Sequence, residues 1–278
     1  MKKYSVLMSL YKDEKPEYFR LAIDSMLNQT LQPDEIVIVK DGTLPSELEV
    51  ILEEYVMCYP KIMHVVGYEQ NQGLGVALNF GIRHCKNDLI ARMDTDDIST
   101  LDRCQKQIEI FEKFPEVDIV GGHIAEFINE TTNIISVRKV PLTHEEITIY
   151  LKKRCPFNHM AVMFKKSVVM AAGNYKEWHF NEDYYLWIRM HLLKAHFYNL
   201  DSILVFVRVG NEMYSRRGGR NYFKSEKNLQ KFMLLKGLIS KKVYIVNVLQ
   251  RFIVQIVLPN KVRAWVYKKL IRQKGGDI

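Results

Sequence analysis

The sequence predicts an α/β protein, a mixed, mainly parallel sheet flanked by helices, continued by a basic amphipathic helical extension. Three observations predict it. Short β-branched runs alternate with segments of helical spacing through the first half of the chain, which is the signature of βαβ units. The 278 residues are 47% hydrophobic and 11% aromatic, enough for a sizeable core, so a disordered tail or a stapled miniprotein is excluded. The last part of the chain changes sign of charge and becomes strongly basic.

The elements follow in order. Residues 4–9 form the first expected strand, because the apolar run after Lys2 and Lys3 lacks the length and the cleavage site of a signal peptide. Pro16 suits a first helical turn, and Tyr18, Leu21, Ala22, Ser25 and Met26 follow at helical spacing. Strands are expected at 35–40, 62–66 and 89–93, separated by a helix through Leu48, Ile51, Leu52 and Tyr55 and another that opens after Gly73-Leu74-Gly75. Beyond Asp97 the alternation loosens into a helix near 101–114, strands near 118–128 and 134–140, helices at 143–153 and 182–193, and a strand at 203–208. This reads as a mixed extension of the same sheet. Residues 1–220 are the expected body of the fold, with halves of about 1–100 and 101–220, and 221–278 the extension. Cys58, Cys85, Cys104 and Cys155 never form a C-x-x-C pair, so spacing suggests neither zinc nor a disulfide framework, and a reducing cytosol fits best.

Charge is divided unevenly. Residues 208–278 hold 17 Lys/Arg against Glu212, Glu226 and Asp277, so residues 1–207 carry −6 of a total of +8. A basic end on an acidic body points to an anionic surface. Residues 243–258 are apolar but number only 16, short of the ~20 that a span requires. Asn247, Arg251 and Gln255, four apart, line one face of a helix suited to lying along a membrane interface. In 261–274, Val262, Trp265, Val266 and Leu270 oppose Lys268, Lys269 and Arg272. The alternative is a helix packed on the body with a solvated basic face. No nucleic-acid-binding motif accompanies the charge, and no nucleic-acid partner is expected.

Chemistry concentrates where the strand at 89–93 runs into Asp94, Asp96 and Asp97. Carboxylates so close repel unless a cation neutralises them, and oxygen ligands suit Mg²⁺ or Mn²⁺. An EF-hand fails, since Ser99 and Gln105 stand where glycine and glutamate belong. The competing reading is an acidic helix start capped by Asp97 and Ser99. Asp41-Gly42 ends the second strand, where ligands of open α/β sheets bind, although Asp-Gly is also a common turn. Gly73 permits a tight turn with backbone close to a ligand. Glu182 and Asp183 open a helix, as a cap or, for Asp183, as a general base. His159 reads as a core or loop histidine. Arg208, Arg216 and Arg217 border a loop that could fold over a phosphate or remain a solvated linker.

Taken together, Ser5-Val6-Leu7-Met8-Ser9 with Tyr11, Leu27-Asn28-Gln29-Thr30, the run from Glu35 to Gly42, Asn71-x-Gly73, Asp94-x-Asp96-Asp97 and Glu182-Asp183 resemble the family 2 glycosyltransferases of the GT-A fold. The likeness is to the bacterial branch that assembles exopolysaccharide, capsule or O-antigen, with the amylovoran type nearest, and it covers about residues 4–217. It implies an inverting enzyme that takes a nucleoside-diphosphate sugar, often UDP-linked, with Mn²⁺ or Mg²⁺ as cofactor. Ser9, Tyr11 and Gly73 would border the nucleotide sugar, Asp41 the base and Asp94 the sugar or ribose, with Arg216 and Arg217 near the diphosphate. Asp96 would ligate the metal, Asp183 would be the base, and Glu182 and His159 would face the acceptor, a saccharide or lipid-linked oligosaccharide. The implied location is cytoplasmic, peripheral at the inner face of the plasma membrane. Two rivals remain: a metal-independent glycoside hydrolase using Asp96 and Asp183 as its carboxylate pair, and a non-catalytic protein that binds anionic surfaces.

Overall fold

β1 (Tyr4–Leu10) is buried on both faces, so parallel strands can pair along either of its edges. In the computed structural model, which describes residues 2–210, 218–259, 262–263 and the backbone of 273–274, β2 (Glu35–Asp41) and β4 (Leu89–Arg92) take those edges, and β3 (Met63–Tyr68) adds outside β2, all parallel. α1 (Pro16–Leu27), α2 (Ser46–Cys58) and α3 (Leu74–His84) make the crossovers. The sheet then turns mixed. β8 (Met163–Lys165) pairs antiparallel with both β4 and β6 (Val117–Phe127), and β7 (Ile134–Arg138) pairs with the far end of β6. β9 (His196–Arg208) runs parallel along the other edge of β6 and also pairs with β5 (Ile98–Ser99). β10 (Gln273–Lys274) adds beside β7.

Side chains of β1 alternate between two cores. Tyr4, Val6 and Met8 pack against α1, α2 and α4 (Arg103–Lys113) through Phe19, Ile23, Leu52, Ile108 and Phe111. On the other face Leu7 meets α3, while α5 (His144–Leu151), α7 (Glu182–Leu192) and α8 (Arg220–Leu235) contribute Leu151, Trp187 and Leu229 to the same core. α3 presses tightly on the sheet at Gly81, where a Cβ would lie 2.4 Å from Leu7 Cδ1 and 2.6 Å from Val39 Cγ2.

The expected architecture stands, with local differences. β9 begins seven residues before the expected strand, because its early residues pair with the first half of β6. β5, β8 and α6 (Lys166–Ala171) were not expected, being too short to show a period. The apolar stretch near the end divides into α9 (Lys241–Phe252) and a π-helical turn, Ile253–Val257. Most of 261–274 lies outside the described residues, and its last two form a strand where a helix was expected.

α9 is turned opposite to an ordinary surface helix. Asn247 donates to Gln230 Oε1 at 2.8 Å and to Lys152 O at 3.0 Å, Arg251 pairs with Glu226, and Asn247 and Gln255 are buried. The polar row therefore faces the body, while Ile245, Leu249, Phe252 and Val257 are exposed.

Candidate functional site

Ser9, Asp41 and Asp94 come from the carboxyl ends of β1, β2 and β4, which the parallel register brings to one edge of the sheet. Asp41 is buried and grips the loop before α3. Its Oδ1 accepts from Gln72 N at 2.7 Å, and its Oδ2 accepts from Gly73 N at 3.0 Å and Asn71 Nδ2 at 3.1 Å. Three of the carboxylate's roughly four lone-pair sites are thus engaged by that loop. Gly42 belongs to the same clasp: with φ +93, a Cβ there would sit 2.7 Å from Asn71 N. Gly73 also has positive φ, +89, and starts α3 beside open space. The Asp41-Gly42 and Asn71-x-Gly73 segments, read separately in the sequence, form one unit.

Beyond β4 the chain forms the acidic loop. Ligand oxygens of Asp94, Asp96 and Asp97 lie within 4.8 Å of one another. Burial, then Asp94 and Glu14, push the Asp96 carboxyl up to about 7. Asp97 is likewise held well above its ordinary range, by burial and then by Asp96 and Asp94. Such crowding calls for protons or a cation, and oxygen donors converging at this spacing fit a hard divalent ion. Asp97 does not cap a helix: its Oδ1 accepts from Arg208 N at 2.9 Å, tying the loop to the end of β9, and α4 starts only at Arg103. Arg208 also donates through Nε to Asp96 O at 3.2 Å, with its guanidinium 3.8 Å from the Tyr18 ring centroid. It braces the acidic loop rather than reaching toward a phosphate. Ser9 is half-buried, and its carbonyl accepts from Thr95 Oγ1 at 3.4 Å; Tyr11 is exposed at the rim.

The second carboxylate pair lies within electrostatic reach of the first, since Asp94 acts on Glu182. Glu182 lies where a Cβ on Gly75 would approach its Cβ to 3.4 Å, so the starts of α3 and α7 meet. Burial and neighbouring Asp183 push Glu182 up to about 7. Burial also raises Asp183, opposed by the Tyr184 N–H at 2.6 Å, the Cys155 thiol and the Arg138 guanidinium. The direction is the one expected of a base that works near neutrality. Arg92 is 1% exposed and bound to Asp94 through Nη2, with Nε and Nη1 unpartnered. Its charge acts on both Glu182 and Asp183. His159 Nε2 meets Tyr175 Oη at 2.7 Å, its ring edge-on to Trp187. Burial first, then Arg92, hold His159 well below its ordinary range, so it is neutral. Arg216 and Arg217 lie outside the described residues.

Arg92, Glu14, Thr95, Cys155 and Tyr175 escaped the sequence reading. Only Arg92 left a signal there, a charged residue inside an otherwise apolar strand.

The chain matches known proteins in sequence and in fold. The family profile described as "Glycosyl transferase family 2" matches residues 5–169. An "Uncharacterized glycosyltransferase" of Haemophilus influenzae is 45% identical over 241 residues, 86% of this chain and 89% of that one. The amylovoran biosynthesis glycosyltransferase AmsE of Erwinia amylovora is 38% identical, covering 96% and 98%. The UDP-Gal:alpha-D-GlcNAc-diphosphoundecaprenol beta-1,3-galactosyltransferase of Escherichia coli is 34% identical, covering 98% and 97%. Among solved structures, S. aureus TarS 1-349 in complex with UDP-GlcNAc superposes with TM-score 0.67 at 15% identity, over 90% of this chain and 72% of that one. Mannosyltransferase PcManGT of Pyrobaculum calidifontis, in complex with GDP-Man and Mn²⁺, does so with TM-score 0.65 at 12% identity, over 96% and 75%.

Proposed function

The chain belongs to glycosyl transferase family 2, and from that premise we propose that it moves a sugar from a UDP-linked donor to a hydroxyl of a growing cell-surface polysaccharide or lipid-linked oligosaccharide, inverting the anomeric carbon. The observation that carries this reading is buried Arg92, whose charge acts both on the carboxylates that follow β4 and on Glu182 and Asp183 at the start of α7. UDP as carrier and a lipid-linked acceptor are supported by the name of the Escherichia coli relative, and a UDP-sugar by the TarS complex.

Ser9, Tyr11, Gly73 and Asp94 border the donor, and Asp41 acts toward the base chiefly by fixing loop 71–73. Asp96, with Asp94 and Asp97 near, would hold Mn²⁺ or Mg²⁺. An ion held there would supply positive charge to offset that of a departing diphosphate. Asp183 takes the proton of the acceptor hydroxyl, which attacks from the face opposite the nucleotide. Glu182 and the His159–Tyr175 pair line the acceptor side, and Arg216 and Arg217 assist the diphosphate. Transfer rather than glycoside hydrolysis is favoured by the family.

Residues 1–220 then form the catalytic unit, and the extension holds it at an anionic membrane at the cytoplasmic face. No described helix is long and apolar enough to cross a membrane. Support comes from α9, whose exposed row includes Ile245 (61%) and Leu249 (56%), beside the basic excess of the chain end. The decisive experiment incubates the protein with UDP-, GDP-, CDP- and dTDP-sugars, with and without Mn²⁺. Metal-dependent release of UDP supports the reading, and metal-independent cleavage of glycosides without nucleotide use removes it.

A further inference from the structure

A cleft of about 330 Å³ lies apart from the acidic loop, between the segment leading into α7 and the start of α8, lined by Trp178, His179, Asn221, Lys224, Ser225 and Asn228. Its aromatic wall is rigid. Trp178 donates through Nε1 to Ser225 O at 3.2 Å and lies on Tyr185 with ring centroids 4.3 Å apart. The opposite wall is polar: Asn221, Lys224 and Asn228, at i, i+3 and i+7, share one face of α8. All three are exposed, and none makes a hydrogen bond or ion pair among the described residues. Phe180, whose ring lies against His179, holds φ +56, a region costly for an aromatic residue, and is 58% exposed. Backbone strain of this kind concentrates at ligand clamps.

The cleft is tied through the backbone to the carboxylate pair. Ser225 Oγ donates to His179 O at 2.6 Å and accepts from Asn181 Nδ2 at 3.2 Å, so α8 fastens the short segment whose next two residues are Glu182 and Asp183. A sugar ring has an apolar C–H face and a rim of hydroxyls, and an indole beside two amides and an ammonium offers partners for both.

We propose that this cleft is an acceptor subsite for a saccharide, taking the ring next to the one whose hydroxyl Asp183 deprotonates. Trp178 stacks on its C–H face, and Asn221, Asn228 and Lys224 bond its hydroxyls. The assignment to an acceptor rests on the transfer reading above.

Saturation-transfer NMR with methyl glycosides of glucose, galactose and N-acetylglucosamine, and with their 1,3-linked disaccharides, tests it. The native chain is expected to mark C–H protons of one ring face. Trp178→Ala should abolish that signal, Trp178→Phe should retain it, and Asn228→Ala, at an exposed position, should weaken affinity about tenfold. Saccharide signals that are absent from the native chain, or unchanged in both Trp178→Ala and Asn228→Ala, overturn the subsite. Donor hydrolysis by the native chain, read from UDP release, reports separately. Saccharide binding at the cleft without any donor turnover would remove the transfer reading and leave the sugar-binding cleft standing.

Discussion

Replacing Asp96 with asparagine should stabilise the metal-free protein while removing its response to metal. Burial and the neighbouring Asp94 and Glu14 lift the Asp96 carboxyl from 3.8 to about 7. At ~1.4 kcal/mol for each tenfold change in proton affinity, an ionised Asp96 costs the fold roughly 4 kcal/mol. The folded state holds the proton more tightly than the unfolded chain does. The cost is therefore absent below about pH 4, grows between about pH 4 and 7, and is complete above that. Because Asp97 titrates with Asp96, about half the full figure is the safer expectation, ~2 kcal/mol at pH 8. For a chain of this size that is a rise in Tm of about 4–8 °C. Thermal melting in EDTA across the pH range, with and without added Mn²⁺ and UDP, measures both effects. Mn²⁺ with UDP should raise the Tm of the native chain and leave that of Asp96→Asn unmoved. An Asp96→Asn variant that melts at or below the native temperature in EDTA at pH 8 would refute the claim that this carboxylate is held at the expense of stability.

Asp183→Asn should keep UDP affinity within about twofold and lose turnover by at least about a hundredfold, the usual contribution of a general base, read from UDP release with acceptor. In the native enzyme kcat/KM should fall on the acid side with an apparent pKa above the ordinary aspartate range, because burial raises that group. Asp41→Ala frees loop 71–73 by removing three accepted hydrogen bonds, and titration calorimetry should show donor binding weakened more than tenfold. Leu249→Glu with Phe252→Glu places charges on side chains 56% and 42% exposed; sedimentation with anionic liposomes should fall sharply while Tm changes little, and undiminished sedimentation would count against α9 as the contact. Gly81→Ala should lower Tm by several degrees, as its methyl meets Leu7 and Val39 inside normal contact distance.

The parallel core was legible because β1, β2 and β4 are apolar runs whose neighbours carry helical spacing, and that pattern is local. β5 and β8, two and three residues long, leave no periodic trace and exist through pairing with β9 and β4. The acidic cluster was visible as Asp94-x-Asp96-Asp97, yet the role of Asp97 depended on Arg208, 111 residues away. The three-way hold of Asp41 on loop 71–73 spans about thirty residues and was likewise hidden. Spacing exposed the row Asn247, Arg251 and Gln255 but could not tell which way it pointed. Its partners Gln230 and Glu226 belong to another helix, and only packing decides that a polar row is the inner one.

That inward row has a mechanical result. Arg251 is latched to Glu226 and to Lys153 O, so α9 cannot roll about its own long axis to present a different side. On the membrane contact proposed above, that latch would set one heading for the body, since the outer flank of α9 turns only when the whole chain turns with it.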